Sequence, residues 1–262
     1  MSDFTEADYY QRHFDPKAYL ETYYRFSGRS VGDDEYMRFV LKHLAELFTS
    51  GKVTGETLID IGTGPTIYQL LSACKAFKNI ILTDFADRNR EELNVWLTNQ
   101  PGAFDWSPVV KYVCQLEGDR ITWKEKEARL RKAIKQVLKC DVLESNPTNP
   151  VVLPQADCLL SCLCLEGACK DLKTFVMALN NMTTLLKPGG YLVLTGVLED
   201  KSYVVGELRF SALPVTEDFL KESVCGAGYI IVDFQSSRKK EESGKNVAEF
   251  SASFVLVAQK NV

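Results

Sequence analysis

The chain runs to 262 residues, 45% of them hydrophobic and 25% charged, with a formal net charge of −4. That is the length of one large domain and the composition of an ordinary globular one, and the acidic balance argues against a protein built to grip nucleic-acid phosphates. No stretch approaches the roughly 18 apolar residues that a membrane span needs, and the polar, acidic start from Met1 to Asp15 does not read as a secretory signal.

The first fifty residues read as helical. Asp15 to Phe26 carries Tyr19, Tyr23 and Tyr24, and Tyr36 to Phe48 forms a second, amphipathic helix stopped by Ser50-Gly51. Thr57-Leu-Ile-Asp-Ile-Gly62 is a short apolar strand that runs into glycines. A helix over 66–76, a strand from Ile80 to Asp84 and a helix over 88–99 follow. Val109 to Val113 is a candidate third strand, Glu125 to Gln136 a helix, and Val137 to Val142 a strand. Ala156 to Cys164 is a buried strand, Leu172 to Leu186 a helix, and Tyr191 to Val197 a strand. After a polar connection come a helix over 216–227 and two apolar runs, 229–234 and 250–258. Their charged link, Ser236 to Lys245, makes them an antiparallel pair. Strands alternating with helices predict one domain, 1–262: a mostly parallel α/β sheet with helices on both faces over 51–262, and a helical lid over 1–50.

The eight cysteines include four between 158 and 169, but there is no CxxC pair and there are only two histidines. We therefore expect no metal and no disulfide framework. The thiols read as reduced, buried, small apolar groups in a cytoplasmic protein.

Four motifs point to a cofactor. Asp60-Ile-Gly62-Thr63-Gly64-Pro65-Thr66 follows a strand, and Gly62 and Gly64 let the backbone approach a ligand at the strand's carboxyl end. The third glycine of a dinucleotide fingerprint is absent, with Ile67 in its place. Asp60 adds an acid suited to a cationic cofactor. Asp84, about twenty residues on, is placed to accept ribose hydroxyls, with Asn89 a helical turn beyond. Asp84 also reads as a helix N-cap. Asp141 suits an adenine amino group with Val142 against the ring, although it also reads as a turn cap. Leu185-Leu-Lys-Pro-Gly-Gly190 ends a helix and turns into a strand.

Together these motifs resemble class I, Rossmann-like methyltransferases that use S-adenosyl-L-methionine and release S-adenosyl-L-homocysteine. Leu58-Ile-Asp-Ile-Gly-Thr-Gly-Pro-Thr-Ile-Tyr-Gln-Leu70, Asp105-Trp-Ser-Pro108, Val137-Leu-Lys-Cys-Asp-Val142 and Phe14-Asp-Pro-Lys-Ala-Tyr-Leu-Glu-Thr-Tyr-Tyr24 narrow the resemblance. They are similar to the nicotinamide, phenylethanolamine and indolethylamine N-methyltransferase family over nearly the whole chain. The resemblance implies that Tyr19 and Tyr24 reach the cofactor from the lid. Gly62, Thr63 and Tyr68 would flank its methionine part, with Gly64, Thr66 and Phe85 beside them. Asp84 and Asn89 would take the ribose, and Asp141 and Val142 the adenine. Cys162 and Leu163 would line the pocket.

The acceptor is read from fewer residues. Nicotinamide enzymes of the family carry an aspartate where this chain has Gly196, and a serine where it has Ala212. Phenylethanolamine enzymes also carry an acid at the first position. Asp87-Arg-Asn-Arg-Glu-Glu-Leu93 resembles the indolethylamine branch most. A small residue at 196 suits a flat, apolar amine, with Tyr23 and Tyr203 as aromatic partners. The expectation is an arylalkylamine acceptor and a monomeric enzyme without nucleic-acid or membrane partners. Pyridine nitrogen, thioether sulfur and a non-catalytic binding protein remain the alternatives. Glu166, in Leu163-Cys-Leu-Glu166, is the candidate proton acceptor, acting through water, and it also reads as a helix-start carboxylate.

Overall fold

The computed structural model describes residues 4–26, 35–118, 120–239 and 250–262. Three helices open the chain: α1 (Ala7–His13), α2 (Pro16–Tyr23) and α3 (Glu35–Thr49). α2 starts where the chemistry says it should. Pro16 sits in its first turn, and the Asp15 carboxylate accepts the Lys17 and Ala18 amides at 2.9 and 3.2 Å. Strand β1 (Gly55–Ile61) leads through a 3-10 turn (Tyr68–Leu70) to the short α4 (Ala73–Ala76) and β2 (Phe77–Asp84). Next come α5 (Asp87–Leu97), α6 (Ser107–Leu116), α7 (Trp123–Ala133), β3 (Ile134–Lys139) and β4 (Ala156–Cys162). α8 (Leu165–Ala168) and α9 (Leu172–Thr183) precede β5 (Leu186–Leu198), the hairpin β6 (Ser202–Val205) and β7 (Leu208–Ser211), α10 (Glu217–Gly226), β8 (Tyr229–Arg238) and β9 (Ala252–Lys260).

The seven-stranded sheet has the order β3-β2-β1-β4-β5-β9-β8. β1 to β5 are mutually parallel, and β9 runs antiparallel to both of its neighbours. The chain switches direction between β1 and β4, and that crevice at the strands' carboxyl ends is where sheets of this kind bind ligands. Alternate residues of the central strands feed two cores. Leu58, Ile80, Leu82 and Leu160 pack with α3, α6 and α7. Ile59, Ile61, Leu159, Leu192 and Leu194 pack with α9 and α10. Burial on both faces explains why these strands read as unbroken apolar runs.

The sequence reading errs in four places. Val109 to Val113 lies in α6, not in a strand. Pro108 opens that helix, and Val109, Val110, Val113 and Cys114 form one buried face at helical spacing, which overrides the β preference of valine. The helix expected over 66–76 is a 3-10 turn and one short helical segment. α7 ends at Ala133, so β3 starts three residues earlier than expected. The polar connection after β5 contains the hairpin β6–β7. Lys187 to Gly190 bulges between two register points, Leu186 opposite Ala156 and Tyr191 opposite Cys158. Of the expected link Ser236 to Lys245, the first part continues β8, and 240–249 lie outside the described residues.

Candidate active site

A cavity of about 650 Å³ opens at the carboxyl ends of β1, β2 and β4, under α1, α2 and the β6–β7 hairpin. That volume suits a nucleoside-sized ligand plus a small second molecule. The loop after β1 forms its floor. Gly62 and Gly64 both have left-handed backbones, at φ +68° and +63°. A Cβ on Gly62 would collide with the Cys164 side chain, whereas Gly64 faces open space. Thr63 and Thr66 also line the cavity, but their hydroxyls serve the loop itself. The Thr63 hydroxyl donates to the Asp60 carbonyl at 3.3 Å, and that of Thr66 to the Thr63 carbonyl at 2.9 Å.

Asp84 ends β2 on the cavity wall. Its carboxylate accepts the Gly64 amide at 2.8 Å, the Ala86 amide at 2.9 Å and the Asn89 side-chain amide at 3.0 Å. Burial pushes this carboxyl above its usual range, while those donors and Arg90 pull the other way. An ionised carboxylate has about four acceptor sites, so capacity remains for a hydroxyl-bearing ligand. Phe85 follows on the same wall. Asn89 does not line the cavity. It is fully buried behind Asp84 and orients it.

Beyond β3, Asp141 is braced by accepting the Leu143 amide at 2.9 Å, with Val142 beside it. At the end of β4 come Cys162, its last residue, and Leu163, which holds a left-handed backbone (φ +54°) that a branched side chain rarely adopts. The Leu163 amide donates to the Thr195 carbonyl at 2.9 Å, which fixes that turn.

The N-terminal helices supply the aromatic wall. The Tyr19 and Tyr24 hydroxyls lie 3.2 Å apart, and the Tyr24 ring packs 5.3 Å from that of Tyr68. Tyr36, at the start of the amphipathic helix expected over Tyr36 to Phe48, also lines the cavity. Its hydroxyl lies 3.3 Å from those of Tyr68 and Thr195. Its helical spacing gives no hint of this, because the hydroxyl and not the ring makes the contact. Burial raises the Tyr24, Tyr36 and Tyr68 phenols well above their usual value, so they stay neutral donors and acceptors. Tyr23 lines the cavity, but its hydroxyl ties α2 to β6: it donates to the Val204 carbonyl at 2.9 Å and accepts the Val204 amide at 3.1 Å. Thr5 and Ser211 form a second two-way clamp, and Phe14 packs on Phe210. Tyr203 stacks on Phe210 at 5.7 Å and meets the Tyr19 ring edge-on, and Ala212 closes that end of the cavity.

Glu166, at the start of α8, turns its side chain to the cavity. Its Oε1 is buried without a hydrogen-bond partner. Burial pushes the carboxyl up to about 7, opposed by the backbone amides of Glu166 and Val197, with Asp200 adding to the rise. Gly196 does not line the cavity. The space its side chain would fill belongs to Glu166 and Phe254. Asp60 also departs from the sequence reading. It is fully buried below the loop, where Gln69 donates to its Oδ2 at 2.9 Å, and it faces no ligand. Among the described residues no group of His, Cys, Asp and Glu gathers to hold a metal ion, and no helix is long and apolar enough to cross a membrane. All eight cysteines are free thiols.

The site fits an adenosyl cofactor. Gly64 leaves backbone open to a ligand, Asp84 keeps acceptor capacity beside the loop, and aromatic hydroxyls flank the same space. Comparison with known proteins agrees. Residues 2–261 match the model of the NNMT/PNMT/TEMT family. The chain is 49% identical to human nicotinamide N-methyltransferase, over 99% of this chain and 97% of that protein. It is 50% identical to indolethylamine N-methyltransferase of Oryctolagus cuniculus, over 87% of each. Human phenylethanolamine N-methyltransferase is 42% identical, over 97% of this chain and 91% of the other. Solved structures share the fold at low identity. N-methyltransferase NodS from Bradyrhizobium japonicum, bound to S-adenosyl-L-homocysteine, has a TM-score of 0.52 at 12% identity, over 93% of this chain and 97% of its own. Magnesium protoporphyrin IX methyltransferase from Synechocystis PCC 6803 has a TM-score of 0.59 at 12% identity, over 97% of each chain. The chain belongs to the NNMT/PNMT/TEMT family, and it is an S-adenosylmethionine-dependent methyltransferase.

Proposed function

We propose that the protein methylates the nitrogen of small arylalkylamines. Overall identity does not choose the acceptor, since the nicotinamide and indolethylamine relatives stand at 49% and 50%. The observation that carries the reading is Glu166: an acid on the wall of an aromatic cavity whose carboxylate has one oxygen, over Gly196, with no hydrogen-bond partner. Such an oxygen calls for a donor, and an ammonium or amine N–H supplies one.

Bound S-adenosyl-L-methionine supplies an activated methyl group on its sulfonium. The remaining work is positioning, which can account for ~7–11 kcal/mol of a barrier. In this reading Asp84 accepts the ribose hydroxyls with Asn89 holding it in place. Asp141 and Val142 take the adenine, and Gly62, Gly64 and Tyr68 take the methionine end. Cys162 and Leu163 close the base of the pocket. Tyr19, Tyr24 and Tyr203 wall the acceptor and exclude water. Glu166 takes the proton that a primary amine carries near neutral pH, directly or through water, before the nitrogen attacks.

The test is methyl transfer from labelled S-adenosyl-L-methionine to tryptamine, phenylethanolamine, nicotinamide and dimethyl sulfide. Preference for tryptamine is expected. Preference for nicotinamide or the thioether overturns the acceptor reading, and cofactor binding with no transfer to any of them overturns the enzyme reading of these residues. For Glu166, kcat/KM with tryptamine should rise with pH through about 7, where its carboxyl ionises. Glu166→Gln should remove that limb and cost about 100-fold or more. An unchanged profile in the variant sinks the assignment.

A further inference from the structure

We propose that Gln11 and Arg90 are positioning residues for the cofactor: acting through Asp87, they fasten helix α1 to the turn that carries Asp84 and Phe85, so that a bound adenosyl group and a docked α1 hold each other in place. This latch works at the cofactor end of the cavity and does not depend on which acceptor the enzyme uses. Gln11 and Asp87 stand 76 positions apart in the chain, yet their contact is two-way. Gln11 Nε2 donates to the Asp87 carboxylate at 2.6 Å, and Gln11 Oε1 accepts the Asp87 amide at 3.2 Å. A side-chain amide that spends both its donor and its acceptor on one residue fixes a direction as well as a distance. Glutamine can do this and glutamate cannot, because an ionised carboxylate has no hydrogen to give.

Asp87 opens α5, and its carboxylate also pairs with the Arg90 guanidinium. The same guanidinium donates from Nη1 to the Asp84 carbonyl at 2.7 Å and to the Phe85 carbonyl at 2.8 Å. One planar cation thus ties the backbone of two cofactor-wall residues to the residue that Gln11 holds. The Asp84 carboxylate in turn accepts the Ala86 amide, so any rotation of this turn also moves the acid. On its other side α1 meets the hairpin. The Tyr10 ring packs edge-on against Phe210 at 5.7 Å, and Thr5, just before the helix, exchanges two hydrogen bonds with Ser211. α1 has seven residues, none of them buried. A helix that short does not persist by itself, so these contacts set its place. A ligand that orders the turn from Asp84 to Asp87 therefore orders α1, and by linkage the docked helix raises the affinity for that ligand by the same factor.

The test is backbone amide hydrogen exchange across α1, with and without saturating S-adenosyl-L-homocysteine, together with the affinity for that ligand by calorimetry. Wild type, Gln11→Glu, Arg90→Lys and the double variant Gln11→Glu/Asp87→Asn are compared. Gln11→Glu sets two carboxylates face to face. The double variant exchanges the roles, so that an amide at 87 donates to a carboxylate at 11. Arg90→Lys keeps the charge and loses the fork. In the wild type the ligand should slow exchange in α1 several-fold. Gln11→Glu and Arg90→Lys should abolish that slowing and weaken the ligand by about three- to tenfold, the worth of one exposed hydrogen bond or two. Exchange in β2 should still slow at saturation, which reports a filled site. The double variant should recover most of both effects. Slowing of α1 that survives in Gln11→Glu overturns the proposal, and so does a wild type in which the bound ligand leaves α1 unchanged. A double variant no better than Gln11→Glu also overturns it, since loss without rescue is damage to the helix and not to the latch.

Discussion

Single carboxylates in this protein are set apart by where their oxygens find donors. Asp84 has three donors and sits at the cavity wall. Asp60 has Gln69 on one oxygen and nothing on the other, Oδ1. Burial therefore pushes Asp60 up to about 7, with the nearby Asp84 adding to the rise. An acid whose folded value is raised holds its proton in the native state through a range where the unfolded chain has released it. Ionisation then opposes folding, so stability is fully present below the unfolded value and falls as pH climbs from about 4 to about 7. Asp60→Asn keeps a carbonyl oxygen for Gln69 and removes the titration. Denaturant unfolding at pH 5 and pH 8 should show the wild type losing on the order of 2–4 kcal/mol more than the variant across that interval. Equal losses would mean that Asp60 is already ionised at pH 5. The residue also marks a limit of sequence reading. The acid, the glycines and their spacing were legible, and so were Asp84, Asp141 and the lid tyrosines at the cavity. That Asp60 points inward was not, because its direction depends on Gln69 reaching back across the loop. Gly196 was legible as a small residue, but the direction of its missing side chain was not.

At the level of elements, the strands were legible because burial on both faces leaves them unbroken apolar runs. Their helical partners were legible from composition, as for α2 after Asp15 and for α7, whose expected start at Glu125 falls two residues inside the helix that the Thr122–Glu125 capping box opens at Trp123. What escaped were elements whose stability is tertiary. α6 is rich in valine and is held as a helix by the face it buries, and β6–β7 has only four-residue strands, pinned by Tyr23, Thr5 and Phe14. A two-stranded hairpin of that length is marginal alone, so the N-terminal helices and the hairpin hold each other over the cavity. Tyr23→Phe removes both hydrogen bonds to Val204 and leaves the ring in place. The expected cost is about 1–3 kcal/mol of local docking. It should appear as a several-fold rise in KM for the acceptor and faster proteolytic cleavage within residues 1–50, with the global melting temperature little changed. Unaltered KM and cleavage would show that the aromatic packing alone closes the lid.

At the scale of the molecule, the cavity is walled by segments drawn from the whole chain, from Thr5 in the N-terminal arm to Ser253 on β9. A ligand that fills it ties the lid to the sheet, and it binds no unfolded chain, so it must stabilise the fold by mass action. At a hundredfold excess over its dissociation constant the gain is about 2.7 kcal/mol. For a chain of this size that should raise the melting temperature by roughly 5–10 °C. S-adenosyl-L-homocysteine is the appropriate ligand, since it fills the cofactor space without turnover. Asp84→Asn should abolish most of the shift, because the amide that replaces one carboxylate oxygen meets the Gly64, Ala86 or Asn89 donors with a donor of its own and offers fewer acceptors to a diol. Glu166→Gln, elsewhere on the wall of the same cavity, should leave the shift intact. A full shift in Asp84→Asn would remove Asp84 from the cofactor site. A lost shift in Glu166→Gln would mean that the acceptor wall and the cofactor wall form one cooperative unit, and the lid would then close only over both.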